Sequence, residues 1–182
     1  MPRPSSKEAI LDAAEAVVLE SGASHMTLDA VAERSGISKG GLLYNYPAKE
    51  ALLEAMIGRL MERVERLREH ARDEFPPGPC KELMVEIRAL QKLSGLDNRL
   101  GASLLAVAAN QPELMHALHE KLRIRFDGEI AGKDKSARAS ILYFAALGLH
   151  FHELLHLSVL DPPEQNRLFE ELLHLAMGDG EI

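Results

Sequence analysis

Residues 27–53 read TLDAVAERSGISKGGLLYNYPAKEALL, and this stretch decides the fold of the 182-residue chain. Thr27 is a good helix N-cap, because its hydroxyl can accept from a backbone N–H of the first turn. Leu28, Val31, Ala32 and Ser35 then recur at helical spacing as one inward stripe. Gly36 ends that helix, since a residue without a Cβ enters positive φ at little cost. Ile37 plugs the space between two helices, and Ser38 caps the next one, opened by Lys39, Gly40 and Gly41. Leu42 and Tyr46, four apart, face inward, and Pro47 stops the helix. A long third helix follows. The order is helix, tight turn, short helix, support helix, and it points to DNA as the partner.

The paired glycines argue for that reading over an ordinary helical corner. Each costs a helix about 1 kcal/mol relative to alanine. Two in a helix of two turns are justified where something must approach the backbone. A recognition helix offers its N-terminal residues to base edges and phosphates, and its unpaired N–H groups favour an anion. Lys39 can donate to guanine O6 or N7, or to phosphate. Tyr44 and Asn45 lie further along, within reach of the backbone or a base edge. Lys49 stands at the start of the support helix, where a cation opposes the helix dipole by a few tenths of a kcal/mol. A nearby phosphate explains that placement; an ordinary solvated lysine explains it equally.

Residues 6–57 resemble the DNA-binding domain of the tetracycline-repressor (TetR) family of bacterial regulators. The resemblance is carried by the amphipathic first helix, by TLDAVA, by GISKGGLLY and by PAKEALL. It implies a homodimer, a divergent all-helical C-terminal domain and repression relieved by a small ligand. By position it implies a DNA-facing set of Thr27, Ser38, Lys39, Gly40, Gly41, Tyr44 and Lys49, to which the spacing adds Asn45. Three positions depart from the commoner pattern. Leu43 stands where a tyrosine is usual, Asn45 where relatives often carry histidine, and Ala48 where a serine usually caps the support helix, at a cost of about 1 kcal/mol.

Composition sets bounds. At 46% hydrophobic and 27% charged residues the chain is of ordinary globular type. It has no leader-like apolar segment and no run long enough to span a bilayer, so a cytoplasmic protein without a membrane partner is expected. A single cysteine, Cys80, excludes an intrachain disulfide framework. The net charge of −7 is unusual for a nucleic-acid binder, and residues 1–50 hold five Lys/Arg against seven Asp/Glu. Glu8, Asp12 and Glu15 belong to the first helix and can face away from DNA. Attraction then rests on Arg3, Lys7, Lys39 and Lys49, and affinity on two half-sites engaged together.

The expected organisation is all-α with about nine helices: a helix-turn-helix domain over 1–50, a connecting helix over 48–73, and a helical effector-binding and dimerisation domain over 74–182. Ser5 or Ser6 opens the first helix, whose Ile10, Ala13, Ala14, Val17 and Val18 face the core, and Gly22 closes it. The connecting helix buries Leu52, Leu53, Met56, Ile57, Leu60, Val64 and Leu67, while its interleaved Glu and Arg residues, Arg68 among them, read as a solvated face. Pro76-Pro-Gly-Pro79 is the clearest break. Helices are expected at about 80–93, 97–110, 112–130, 134–160 and 162–177, the last opened by the cap sequence Asp161-Pro-Pro-Glu164. The segment 141–160 is apolar on nearly every side. That suits a helix packed on its own core on one face and on a partner subunit on the other, with the final helix (Leu168, Leu172, Leu173, Leu175, Ala176) beside it; a wholly intramolecular core is the other reading.

Two further features bear on function. His152-Glu-Leu-Leu-His156 is a literal H-E-x-x-H, which on a continuous helix sets both imidazoles on one face as zinc requires. It supports an alternative reading as a metal-binding protein or metal-dependent hydrolase, with Glu170, Glu171 or His174 as third ligand. The extended zinc-protease pattern does not follow, so polar residues lining a cavity or a subunit seam are the preferred reading, and neither metal nor cofactor is expected. No other enzyme constellation is visible. For the unknown small-molecule effector, Leu104, Asn110, Met115, Tyr143, Phe144, His150 and Phe151 are the candidates, as polar or aromatic residues set in apolar helices.

Overall fold

The computed structural model describes residues 5–93, 95–131 and 137–178. Among them are nine α-helices and one π-helical turn, with no strand: α1 Ser6–Ser21, α2 Leu28–Ser35, α3 Lys39–Asn45, α4 Lys49–Arg72, α5 Lys81–Lys92, α6 Leu96–Ala108, α7 Pro112–Arg125, the π turn Phe126–Ile130, α8 Ala137–Leu154 and α9 Pro162–Met177. The fold is all-α, with a helix-turn-helix near its N-terminus. The N-terminal arm with Arg3 lies outside the described residues. Packing gathers the chain into two units. The first comprises Met1–Glu62 and Arg99–Met115; the second comprises Arg63–Asn98 and His116–Ile182. The divisions fall inside α4, α6 and α7.

In the first unit, local chemistry sets both ends of α1 and α2 and the start of α3. Ser5 Oγ accepts from Glu8 N, and Gly22 closes α1 at φ 85°. Thr27 Oγ1 accepts from Ala30 N, and Gly36 ends α2 in the left-handed region. Ser38 Oγ accepts from Gly41 N at the start of α3. Such caps are each worth about 1 kcal/mol. The core joins Ile10, Ala14 and Val18 of α1 to Val31, Leu42, Leu52, Leu53 and Met56. Leu100 and Leu104 of α6 belong to the same core, so α6 is part of this unit's packing. Arg59 faces Glu8, Asp12 and Glu15. The acids of α1 are therefore answered within the unit.

The second unit packs α5, α8 and α9 together. Leu83, Val85, Ile87 and Leu90 of α5 meet Leu142, Tyr143 and Ala146 of α8 and Phe169 and Leu173 of α9. Its interior also holds charge. Arg68 grips Glu86 with two hydrogen bonds, Nε at 2.7 Å and Nη2 at 2.9 Å. Arg125 Nε donates to the same carboxylate at 2.9 Å. Arg68 and Glu86 are 7% and 4% exposed, so Arg68 does not belong to the solvated face expected of it. Burial alone would raise the Glu86 carboxyl, but the two guanidiniums outweigh it and hold the group below its usual range. The start of α9 has the full capping box, with Asp161 accepting from Glu164 N and the Glu164 carboxylate accepting from Asp161 N.

The helix expected over 134–160 is shorter. α8 ends at Leu154, and His156 takes a left-handed φ of 56°. Leu157 N donates back to His152 O at 2.8 Å, a reverse turn that closes the helix before the second histidine. Nor is α8 buried all round within one chain. Ile141, Phe144 and Phe151 of α8, Leu155 just beyond its end, and Leu168 and Leu175 of α9 are exposed.

Candidate nucleic-acid interface

The DNA-facing residues assembled from the sequence all lie in the first unit, on three neighbouring segments. Thr27 and Ser38 are exposed, and their oxygens accept the capping bonds given above. Each hydroxyl hydrogen stays available to a phosphate, because a hydroxyl is donor and acceptor at once. Lys39 is exposed, and its Nζ lies 2.8 Å from Asp29 Oδ1. Tyr44 stands out at 89% exposure. Asn45 Nδ2 donates to Gly41 O at 2.8 Å, so one of its two amide N–H donors is held by its own helix. Lys49 Nζ donates to Ser24 O at 3.0 Å and ties the start of α4 to the turn after α1.

The two glycines differ in kind. A Cβ on Gly40 meets nothing within 4 Å, so its surface is open to an incoming molecule. A Cβ on Gly41 meets Ile37 Cγ2 at 3.0 Å and Ser38 Oγ at 3.3 Å. Gly41 is thus explained by the packing of the turn itself, and Gly40 alone retains the argument from close approach. Asp29 was not among the residues singled out from the sequence. Ten positions from Lys39 and on another helix, it leaves no periodic trace.

The seven effector candidates do not gather in one unit. Leu104, Asn110 and Met115 fall in the first, where Leu104 is taken up by the core. Asn110 lines a cavity of about 490 Å³ together with Ser24, Lys49, Glu50, Ser103 and Val107. Tyr143, Phe144, His150 and Phe151 fall in the second unit. Phe126, Tyr143 and Phe144 form a three-ring cluster with centroids 5.1–5.6 Å apart. Phe126 opens the π turn, which re-aims the side chains after Arg125. His150 is buried, and its Nδ1 has no hydrogen-bond partner among the described residues. Burial pushes its imidazole below the ordinary value, against the pull of Glu153 and Glu86.

The H-E-x-x-H spacing fails in three dimensions. With α8 closed at Leu154, His152 and His156 do not share a helical face, and Glu153 accepts from Gln165 Nε2 at 2.9 Å. Among the described residues no group of three or more His, Cys, Asp or Glu is arranged to hold a metal ion. Nothing supports the hydrolase reading. Among the same residues no helix is long and apolar enough to cross a membrane.

Comparison with known proteins agrees with this geometry. Residues 10–56 match the family model of bacterial regulatory proteins of the tetR family, and residues 85–177 match the tetracyclin repressor-like C-terminal domain. The chain belongs to the TetR family of DNA-binding transcriptional regulators. It is similar to the HTH-type transcriptional repressor BepR of Brucella suis biovar 1 (strain 1330), with 32% identity over 94 residues, 52% of this chain and 45% of BepR. The match thus spans less than half of that relative's length. Among solved structures, a TetR-family member from Streptomyces coelicolor A3, SCO1917, superposes with a TM-score of 0.72 at 21% identity, covering 93% of this chain and 98% of its own. SmeT, in complex with triclosan, superposes with a TM-score of 0.71 at 21% identity, covering 97% and 94%. At these identities the superpositions show the shared fold.

Proposed function

We propose that the protein is a ligand-responsive repressor that binds a partly palindromic operator as a homodimer. The observation that carries the reading is the exposed opening of α3, where Lys39 and Gly40 stand clear of the core beside Tyr44. The recognition helices of two subunits then enter successive major grooves, with Thr27, Ser38, Lys39, Gly40, Gly41, Tyr44, Asn45 and Lys49 as the contacting set. Phosphate contacts from hydroxyls and backbone fix the register, and Lys39 reads a base edge.

The exposure of Ile141, Phe144, Phe151 and Leu155 together with Leu168 and Leu175 supports dimerisation through the last two helices, because so many large apolar side chains on two packed helices are rarely all left in water. The region around Tyr143 and His150 is the best-equipped effector site, with tilted and edge-on rings about two turns along α8 from an unpaired imidazole nitrogen. A triclosan complex of a similar fold is consistent with an aromatic ligand there. By linkage, effector and operator must weaken each other by the same factor.

The test is salt-dependent binding of the purified protein to DNA upstream of its own gene, with random DNA as competitor and light scattering for stoichiometry. Specific binding by two subunits per site, weakened but still measurable in Lys39→Ala, is expected. Specific binding that Lys39→Ala leaves unchanged removes Lys39 from the contacting set. A monomer on the operator removes the dimer.

A further inference from the structure

We infer that Asp29 is a specificity-determining residue that positions the Lys39 ammonium for base reading. The inference rests on the reading of Lys39 as a base contact. Asp29 sits in the first turn of α2, Lys39 opens α3, and their charged atoms meet at 2.8 Å while both side chains stay largely exposed, 60% for Lys39 and 72% for Asp29. The contact therefore lies on the solvent side of the helix-turn-helix, on the surface that carries Thr27 and Ser38. An ammonium has three N–H donors. One directed at Asp29 leaves two for an acceptor pair such as guanine O6 and N7.

A lysine stem is flexible, and an untethered ammonium follows the strongest local potential, which on DNA is the phosphate backbone. Tethered to Asp29, Lys39 is held over the groove and withheld from neighbouring phosphates. A carboxylate on a DNA-facing surface otherwise repels the partner, and this chain is already acidic with a net charge of −7. Asp29 also favours the N-terminus of α2 through the helix dipole. That role concerns stability alone and has no bearing on sequence choice.

The experiment compares wild type, Asp29→Asn, Asp29→Glu, Lys39→Ala and the double variant that combines Asp29→Asn with Lys39→Ala. Each full-length protein is titrated against the duplex that wild type enriches from a random pool, and against a random-sequence duplex of equal length. Asp29→Asn should weaken the selected duplex about fivefold, the scale of an exposed ion pair, and leave the random duplex unchanged or tighter. On random DNA its salt dependence should steepen by up to about one ion as Lys39 reaches phosphate. Asp29→Glu should recover part of the selectivity, and Asp29→Asn should have no effect once Lys39 is alanine. Equal changes on both duplexes, or an undiminished effect without Lys39, overturn the inference. If wild type enriches no sequence, the base-reading role of α3 falls first and Asp29 with it.

Discussion

At Gly40 and Gly41 two identical residues have different reasons to be there. Gly40 faces open space and Gly41 faces Ile37 and Ser38. Gly40→Ala should stabilise α3 by up to about 1 kcal/mol yet weaken operator binding about tenfold, the worth of one lost charge-assisted backbone contact. Gly41→Ala should lower the melting temperature, because the new methyl pushes on the residues that form the turn. Thermal unfolding paired with operator titration separates the two; a Gly40→Ala protein that binds as well as wild type would remove the close approach. Glu86 presents a second residue-scale case. Replacing it with glutamine leaves the buried Arg68 and the half-buried Arg125 against a neutral partner, and should cost about 3 kcal/mol in urea unfolding.

The pH response also begins with single residues. His150 has its folded value pushed below the ordinary 6.5, so the unfolded chain binds the proton more readily. Stability is therefore lost as pH falls below about 6.5. His150→Leu should flatten stability in that window. Glu86, held below the ordinary 4.5, contributes stability that is complete above that value and disappears on further acidification through its folded value. A melting temperature whose dependence below pH 6.5 is the same with and without His150 would exclude its part.

Among the elements, α9 and α8 show how ends are set. α9 starts where Asp161 and Glu164 exchange hydrogen bonds with each other's backbone, and Asp161→Ala should cost about 1 kcal/mol, readable by chemical unfolding. α8 stops at Leu154 although apolar residues continue to Leu160. Leu157 and Val159 lie beyond the helix and stay exposed, so continued hydrophobicity does not mean continued helix. The seven residues of α3 are too few to be stable alone. They hold because Leu42 and Tyr46 are anchored in the core of the first unit.

For the whole molecule, the proposed function depends on coupling two subunits, and the exposed apolar residues of α8 and α9 are where that coupling is proposed. Phe144→Glu together with Leu168→Glu should give a folded monomer by light scattering, since both side chains are more than a third exposed in the single chain. Operator affinity should fall steeply, because a single recognition helix meets only one half-site. Retained dimers in that variant would move the interface elsewhere.

Residues 27–53 announced the helix-turn-helix because its signals are local. Thr27, Gly36 and Ser38 act within one turn of where they stand, and the inward periodicity of α1 and α4 repeats within the same helix. The same locality made Asp161 legible as a cap. Tertiary structure alone decided that Arg68 turns inward to Glu86, that Lys39 meets Asp29, that Lys49 ties back to Ser24, and that His152 and His156 part company. An ion pair of that kind depends on which distant segment arrives beside it, and the turn at His156 that ends α8 interrupts an apolar run without a glycine or proline to mark it. Charge pattern and spacing along one strand of sequence hold no record of that approach.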